Sequence, residues 1–367
     1  MQKAKKYLKI VIFIFMSCFL TSMASAADPC LGEECNATVI TYNKESPYFL
    51  DENAPISGVL FCDDSVVPDA PFLSKMWVMP PARGQGASKG KSRSDWVMEE
   101  IHKHDFPELL YFMGGGSEPE RIMENNYLGG EVEIWINGEK RVINTTSQVF
   151  IPAGLPHGPI IFRNMTKPIL VTQFADTPRY TRLPAENTND DPYGNKYKHL
   201  IYSEVELYYH PERWEAGRAR NYMYAGNDTR DPSIVDEGVY YSGGPVTLMP
   251  NAPDPDLDPP RVFGWMEPHF HSAGVEYFLV TGLDGYKPLE LGAKATFEVN
   301  FNVHPVNQTA IVHIPPSGIH CPIIFHEIDK PAMMCAFGQS NIALWDLNPY
   351  VKGSPIKGRV KNKGVTH

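Results

Sequence analysis

The chain has little of what marks several common classes of protein. It holds 6 cysteines among 367 residues, and no two are spaced as Cys-x-x-Cys, which argues against a zinc site built on thiolates. Basic residues are fewer than acidic ones, 33 against 43, so nucleic acid is not an expected partner. Downstream of Leu20 no apolar run approaches the roughly 20 residues that span a bilayer, so no stable membrane insertion is expected. Local signatures of serine or cysteine nucleophiles are also absent.

The amino terminus predicts export. Four lysines precede the apolar run from Ile10 to Leu20, and Ala24-Ser25-Ala26 supplies the small residues that a signal peptidase reads. Residues 1–26 are therefore predicted to be a cleaved signal peptide, which would place the mature protein in the periplasm or outside the cell. Lipidation of Cys18 is the second interpretation, because it would leave a very short apolar core. The lysines form no twin-arginine pair, so any metal would be acquired outside the cytoplasm.

Five cysteines remain after such a cleavage. In an oxidising compartment two of the residues Cys30, Cys35 and Cys62 could form a disulfide bond. The other two are Cys321 and Cys335. Because five is an odd number, at least one of the five thiols is expected to be unpaired or to form an intermolecular bond.

What the chain does hold is short runs of aromatic and β-branched residues, separated by Gly, Pro and Asn. They include 131–136, 148–151, 169–174, 295–301 and 310–314. Helical periodicity is scarce. With 33 prolines and 29 glycines, the loops must be many and tight, which favours an all-β sandwich or barrel.

An ungapped internal repeat divides the chain. VFIPAGLPHGPIIFRNMTKP, 149–168, aligns with VHIPPSGIHCPIIFHEIDKP, 312–331. Upstream, WVMEEIHKH from Trp96 aligns with WMEPHFH from Trp265. The repeat predicts an order of segments along the chain: a signal peptide at 1–26, an N-terminal extension at 27–60, one β-domain at 61–200, a second at 201–350 and a basic tail at 351–367.

Each copy carries two histidines one residue apart, followed by a glutamate. Side chains at i and i+2 of a strand point to the same face, so His102 and His104 are predicted to face inward together, as are His269 and His271. Glu108 lies an even number of residues from His102, so an unbroken strand would present it on that face.

The second copy differs in this spacing. Glu276 lies an odd number of residues from His271, so a bulge or a small loop is expected between them. A third histidine, His157 or His320, follows a turn rich in Pro and Gly at the same place in each copy. Three imidazoles and one carboxylate leave open positions on an octahedral ion. One such histidine pair alone is more often a pair of exposed residues than a metal site. Duplication of the whole set nevertheless favours two metal sites.

These residues resemble the cupin superfamily, and specifically a bicupin. HKHDFPELLYFMGG and HFHSAGVEYFLVTG match its first motif. PAGLPH matches its second motif, and PPSGIH does so less well because Gly318 sits one residue late. The resemblance covers most of residues 60–350 and implies two tandem jelly-roll β-barrels, each with a divalent metal.

The ligand spacing is similar to that in oxalate decarboxylases and oxidases, which are manganese bicupins. The resemblance implies an arginine just before the first histidine pair, where it holds the carboxylate of oxalate. Here Glu99, Glu100 and Ile101 occupy that stretch. Acidic residues would repel a dicarboxylate, so they argue against oxalate and favour a neutral substrate, or a general acid or base beside the metal. The predicted catalytic carboxylates are Glu99, Glu108 and Glu276.

The leading interpretation is a metal-dependent enzyme for a small enol, diketone or phenolic compound, of the dioxygenase or decarboxylase type. One alternative is an oxygen-independent hydrolase or isomerase of a cyclic dicarbonyl. Another is a noncatalytic exported protein that binds a metal or a ligand. Manganese or iron is the expected metal, with Zn, Ni, Co and Cu left open. Assembly into a homo-oligomer is also left open.

Overall fold

Almost every element of the structure is a β-strand, as predicted. The structure is a computed structural model, and it describes residues 32–41, 55–81, 95–115, 127–202, 219–220, 224–225, 241–248, 250, 253, 255–256, 260–265, 268–271 and 274–338. The predicted signal peptide and basic tail lie outside these residues. Within the described ranges the helices are two short 3-10 turns, Glu33–Cys35 and Lys198–Leu200, and no helix is long and apolar enough to cross a membrane.

The first repeat forms two antiparallel sheets, called here the first inner sheet and the first outer sheet. The inner sheet has the strand order β13 (Ile201–Tyr202), β9 (Ser147–Ile151), β6 (Glu108–Gly114), β11 (Ile169–Ala175), β3 (Phe72–Val78) and β2 (Ile56–Cys62). The outer sheet has the order β12 (Leu183–Pro184), β5 (His102–Lys103), β10 (His157–Arg163), β7 (Tyr127–Ile136) and β8 (Glu139–Thr145), and β4 (Trp96–Glu99) also pairs with β10.

The second repeat forms another pair of sheets. Its inner sheet has the order β1 (Thr38–Ile40), β21 (Ala310–Ile314), β18 (Glu276–Gly282), β23 (Ala332–Gly338), β16 (Tyr241–Leu248) and β14 (Ala219–Arg220), and β15 (Tyr224–Ala225) also pairs with β16. Its outer sheet has the order β17 (Phe263–Trp265), β22 (His320–Ile328), β19 (Ala293–Val299) and β20 (Asn302–Val306).

The two repeats share one topology. The order β9-β6-β11-β3 in the first inner sheet corresponds to β21-β18-β23-β16 in the second, and β4-β10-β7-β8 corresponds to β17-β22-β19-β20. Strands of the outer sheets alternate between buried and less buried residues, as a sheet with one covered face requires. The prediction of an all-β fold with two tandem jelly-roll units related by the repeat is confirmed.

The two inner sheets pack against each other. The ring of Phe174 stacks on Phe337 at 5.9 Å between centroids, and the Tyr277 hydroxyl donates a hydrogen bond of 2.7 Å to the Pro71 carbonyl. Strands β6, β11, β18 and β23 are therefore buried along their whole length. This double covering explains why their sequences are mainly apolar and show no regular polar alternation.

Two short strands, β1 and β13, pair with a repeat other than the segment to which the sequence assigned them. β1 lies in the predicted N-terminal extension but pairs with β21 of the second repeat. β13 begins the predicted second domain but pairs with β9 of the first. Beside β1, Cys35 takes part in a disulfide and its carbonyl accepts a hydrogen bond of 2.8 Å from the Asn300 side chain, whereas Cys62 is a buried free thiol.

The register of the outer sheets corrects the alignment of the two tryptophans. Glu99 pairs with Ile160 and Trp265 pairs with Ile323, and these isoleucines are equivalent in the repeat. Trp265 therefore takes the backbone position of Glu99, not that of Trp96. The alignment failed because the stretch before the first histidine is one residue longer in the second copy.

Candidate metal centres

The first centre lies between the two sheets of the first repeat. His102 and His157 face each other as a pair across β5 and β10 of the outer sheet, and His104 follows β5 directly. Glu108 begins β6 in the inner sheet. Its Oε2 atom lies 3.6 Å from His104 Nε2 and 3.3 Å from His157 Nε2, and all four side chains are buried. The structure thus brings together the four residues that the sequence predicted as ligands.

The expectation of an unbroken strand from His102 to Glu108 was wrong. β5 ends at Lys103, and Glu108 starts a new strand in the opposite sheet. Pro107 stands directly before that strand, and a proline has no N–H with which to continue a ladder. The carboxylate therefore approaches the imidazoles from across the sandwich and not along one strand.

The histidines are oriented by backbone carbonyls. The Nδ1 atoms of His102, His104 and His157 lie 2.7, 2.5 and 3.1 Å from the carbonyl oxygens of Glu100, Thr181 and Leu155. Because a carbonyl only accepts, each Nδ1 carries the proton and each Nε2 turns a lone pair toward the centre. This is the tautomer that binds a metal.

The second centre repeats this arrangement. His269 pairs with His320 through an isolated β-bridge, and Glu276 begins β18 in the inner sheet. The Oε2 atom of Glu276 lies 2.7 Å from His320 Nε2 and 3.3 Å from His271 Nε2. Potential ligand atoms of all four residues lie within 4.8 Å of one another.

The polar atoms at both centres are suited to a divalent cation. Glu108 Oε2 and His157 Nε2 at the first centre, and Glu276 Oε2 and His320 Nε2 at the second, are buried and have no hydrogen-bond partner outside their own cluster. Buried polar atoms left unpaired are costly. Imidazole nitrogens and carboxylate oxygens are ligands for divalent transition metals, so a cation at each centre would satisfy all of these atoms.

Their surroundings hold the His102 ring neutral and both glutamates ionised. Burial lowers the pKa of His102 to about 4, which keeps the ring neutral. Burial acts to raise the pKa of Glu108, but the contacts with His104 and His157 outweigh it and hold this pKa far below its usual value. The pKa of Glu276 is lowered in the same way by His320 and His271.

Glu99 stands beside the first centre. It is 2% exposed, and its Oε2 atom lies 3.5 Å from His102 Nε2 and has no hydrogen-bond partner. Its Oε1 atom accepts hydrogen bonds from Arg182 at 2.7 Å and from Gln173 at 3.0 Å. Glu100 is exposed, so of the two acidic residues only Glu99 faces the centre.

Three further residues at the first centre were missed from the sequence. Tyr180 donates a hydrogen bond of 2.7 Å to Glu108 Oε1, and Gln173 Nε2 lies 3.3 Å from the same atom. Burial and the charges of Glu108 and Glu99 raise the pKa of Tyr180 well above its usual value, so the phenol keeps its proton. Arg182 places a positive charge against Glu99, so the charge argument made from Glu99 and Glu100 alone was incomplete.

A signal for Gln173 was present in the repeat. In the ungapped alignment Gln173 corresponds to Ala336, so a buried polar residue in an apolar strand has an alanine as its counterpart. The backbone position of Glu99 likewise holds Trp265 in the second copy. The two centres therefore share their set of candidate ligands but differ in what surrounds them. No comparable signal marked Tyr180 or Arg182, which follow the repeat in a loop.

Comparison with known proteins adds little to this description. No protein-family model and no curated protein matches the chain. A solved structure of oxalate decarboxylase from Bacillus subtilis at pH 4.6 is 13% identical, covering 77% of this chain and 72% of that one, with a TM-score of 0.45. Another, from work on the Mn(II) centres of the same enzyme, is 13% identical, covering 77% and 73%, with a TM-score of 0.46.

Likenesses at this level carry no argument about reaction or substrate. The fold and the paired histidine and glutamate clusters define a duplicated, all-β protein with two buried clusters suited to hold a divalent metal.

Proposed function

We propose that the chain is an exported metal-dependent enzyme that acts on a small oxygenated compound at its first centre. The observation that carries the proposal is Glu99 Oε2, a buried carboxylate oxygen without a hydrogen-bond partner that lies 3.5 Å from the ligand nitrogen of His102. A divalent ion bound there supplies Lewis acidity to the oxygen atoms of a substrate.

The surrounding residues support a role for Glu99 in proton transfer. Arg182 and Gln173 both donate to Oε1, which fixes the carboxylate and leaves Oε2 turned toward the centre. A carboxylate held in this way can accept a proton from an enol, a hydroxyl or a water. Arg182 also stabilises negative charge that develops on an enolate or phenolate.

The second centre has a different role in this proposal. Trp265 holds the backbone position of Glu99, and Ala336 corresponds to Gln173 in the repeat, so neither position carries the polar side chain that serves the first centre. We assign its ion to holding β22 and β18 together, and the reaction to the first centre.

The reaction is proposed to be of the dioxygenase or decarboxylase type, with manganese or iron as the metal. Oxygen-independent hydrolysis or isomerisation of a cyclic dicarbonyl is the second candidate, because a positioned carboxylate beside a Lewis acid serves proton abstraction equally well.

The test compares two adjacent glutamates. Glu99→Gln is expected to keep the metal content of the wild type and to lower turnover of an enol, diketone or phenolic substrate by about 100-fold or more. Glu100→Gln, at the exposed neighbour, is the control and should leave turnover unchanged. An oxygen electrode, read during turnover, separates the dioxygenase branch from the others.

Two results would contradict the proposal. One is native protein that folds normally and contains no transition metal by elemental mass spectrometry. The other is full activity in the Glu99→Gln variant.

A further inference from the structure

The segment that follows β11, residues 176–184, lies against the first centre and is called here the strap. Its end pairs with β5, with Pro184 opposite His102 and Leu183 opposite Lys103. The carbonyl of Thr181 receives the Nδ1 proton of His104 at 2.5 Å. The strap is therefore fixed to two ligand histidines, and its side chains have defined positions relative to the centre.

Arg182 of the strap is separated from the first centre only by the carboxylate of Glu99. Its guanidinium contacts Glu99, whose other oxygen faces His102, and it lies over the Tyr180 ring at 5.6 Å. The Arg182 side chain is 40% exposed, although Glu99 beneath it is fully buried. A guanidinium has five N–H donors, so after its contacts with Glu99 and Tyr180 it still has donors for a ligand that enters from solvent.

The charges at the first centre favour a ligand with a single negative charge. A divalent cation and Arg182 are positive, while Glu108 and Glu99 are negative, which leaves one net positive charge by formal count. A monoanion neutralises this excess, whereas a dianion reverses it next to the buried carboxylate of Glu99. A neutral ligand leaves the Arg182 donors without an anionic partner.

We propose, on the basis of the function given above, that the first centre binds a singly charged carboxylate that carries a carbonyl or hydroxyl oxygen on the neighbouring carbon, as in a 2-oxo or 2-hydroxy acid. Arg182 binds the carboxylate in bidentate fashion, and the neighbouring oxygen reaches the ligand cluster. A monoanionic ligand takes the place of the neutral substrate that was expected from Glu99 and Glu100 in the sequence.

The test uses two probes of equal size on the full, manganese-loaded chain. Pyruvate carries a carboxylate where butane-2,3-dione carries an acetyl group, so the pair isolates the negative charge. By isothermal titration calorimetry pyruvate is expected to bind at least about tenfold more tightly than the dione. Arg182→Gln is expected to weaken pyruvate binding by about 10- to 100-fold and to leave dione binding unchanged.

Two variants sharpen the comparison. Arg179→Gln removes a strap arginine that is 79% exposed and pairs with Asp64, so it should leave pyruvate binding unchanged. Glu99→Gln removes the negative charge that competes for Arg182 and should tighten pyruvate binding. Arg182→Lys keeps the charge, and it replaces Arg182→Gln if that variant does not fold; it should weaken pyruvate binding less than tenfold.

Equal affinities for pyruvate and the dione, or unchanged pyruvate binding in Arg182→Gln with its metal content intact, would overturn the inference and leave the metal-dependent function standing. Failure of the wild-type chain to bind manganese would count against the proposed function itself, before any probe is added.

Discussion

Tyr180 supports metal binding at the first centre through a single atom outside the ligand set. Its hydroxyl donates to Glu108 Oε1 at 2.7 Å, which leaves Oε2 for the ion. Hydrogen bonds to a ligand from outside the coordination shell commonly contribute 10- to 100-fold to metal affinity. We therefore expect Tyr180→Phe to weaken binding of the first ion by about tenfold or more, measured by titration of metal-free protein with Mn(II).

Tyr277→Phe is the matched control. This tyrosine is also buried, but its hydroxyl donates to the Pro71 carbonyl between the inner sheets. The variant should therefore bind both ions as the wild type does. Binding of the ion at the second centre also reports whether Tyr180→Phe is folded, and equal affinity of the first ion in all three proteins would refute the role given to Tyr180.

Alanine substitutions at two glycines near His157 distinguish the cost of backbone strain from the cost of a steric clash. Gly154 has φ +77° and nothing within 4 Å of where a Cβ would stand, whereas Gly158 has φ +91° and its Cβ would lie 2.5 Å from the Glu100 carbonyl oxygen. Gly154→Ala should cost about 1–2 kcal/mol of unfolding free energy from its φ angle alone. Gly158→Ala should cost about 1–3 kcal/mol more, since the backbone must also shift. Urea denaturation checks both, and equal losses would show that the clash is absent.

At the level of elements, Glu133 joins three strands of the first outer sheet. Glu133 lies on β7 and forms ion pairs with Arg163 of β10 at 3.0 Å and with Lys140 of β8 at 2.7 Å. Burial acts to raise the pKa of Glu133, but the hydrogen bonds from Arg163, Lys140 and Trp135 outweigh it and lower the pKa to about 2. A carboxyl whose pKa is lower in the folded than in the unfolded state stabilises the fold above its usual pKa.

The resulting pH dependence has a defined sign. The wild type should exceed Glu133→Gln in stability at neutral pH, and this advantage should fall between about pH 4.5 and pH 2, where the folded protein takes up the proton. Urea denaturation across this range measures it. Glu131→Gln, on the same strand but in an exposed contact with Asn164, is the control variant measured alongside. An advantage of the wild type over Glu133→Gln that did not change with pH would exclude the ion pairs as its cause.

At the level of the whole molecule, Lys75 couples the two repeats. Its Nζ donates to the Gly58 carbonyl of the first repeat at 3.1 Å and to the Pro288 carbonyl of the second at 3.2 Å. Burial lowers the pKa of Lys75 to about 7. Between about pH 7 and its usual pKa the unfolded chain therefore binds a proton that the folded chain has lost, so stability rises with pH over this range.

Lys75→Met removes this dependence. The stability of the wild type relative to the variant is expected to increase from about pH 7 to pH 10, by chemical denaturation at a series of pH values. Lys294→Met, an exposed lysine that pairs with Glu327, is the control and should not reproduce the trend. A constant difference between wild type and Lys75→Met would mean that Lys75 titrates alike in the folded and unfolded chains.

The sequence by itself indicated the all-β class, the repeat and the eight histidines and glutamates that approach one another in the two centres. β-Branched and aromatic runs between turn residues are local signals, and duplication turned a weak histidine pair such as His102 and His104 into a reliable one. The domain limits were less accessible, because β1 and β13 are assigned to a repeat by pairing partners far away in sequence.

Only the tertiary structure decided what surrounds the first centre. Gln173, Tyr180 and Arg182 lie 65, 72 and 83 residues from the carboxylates they contact, and no periodicity connects them with Glu108 or Glu99. Their approach depends on how the inner sheet packs on the outer one and on the path of a loop. Sequence neighbours gave the centre a negative charge, and the fold added Arg182 because charges interact through space and not along the chain.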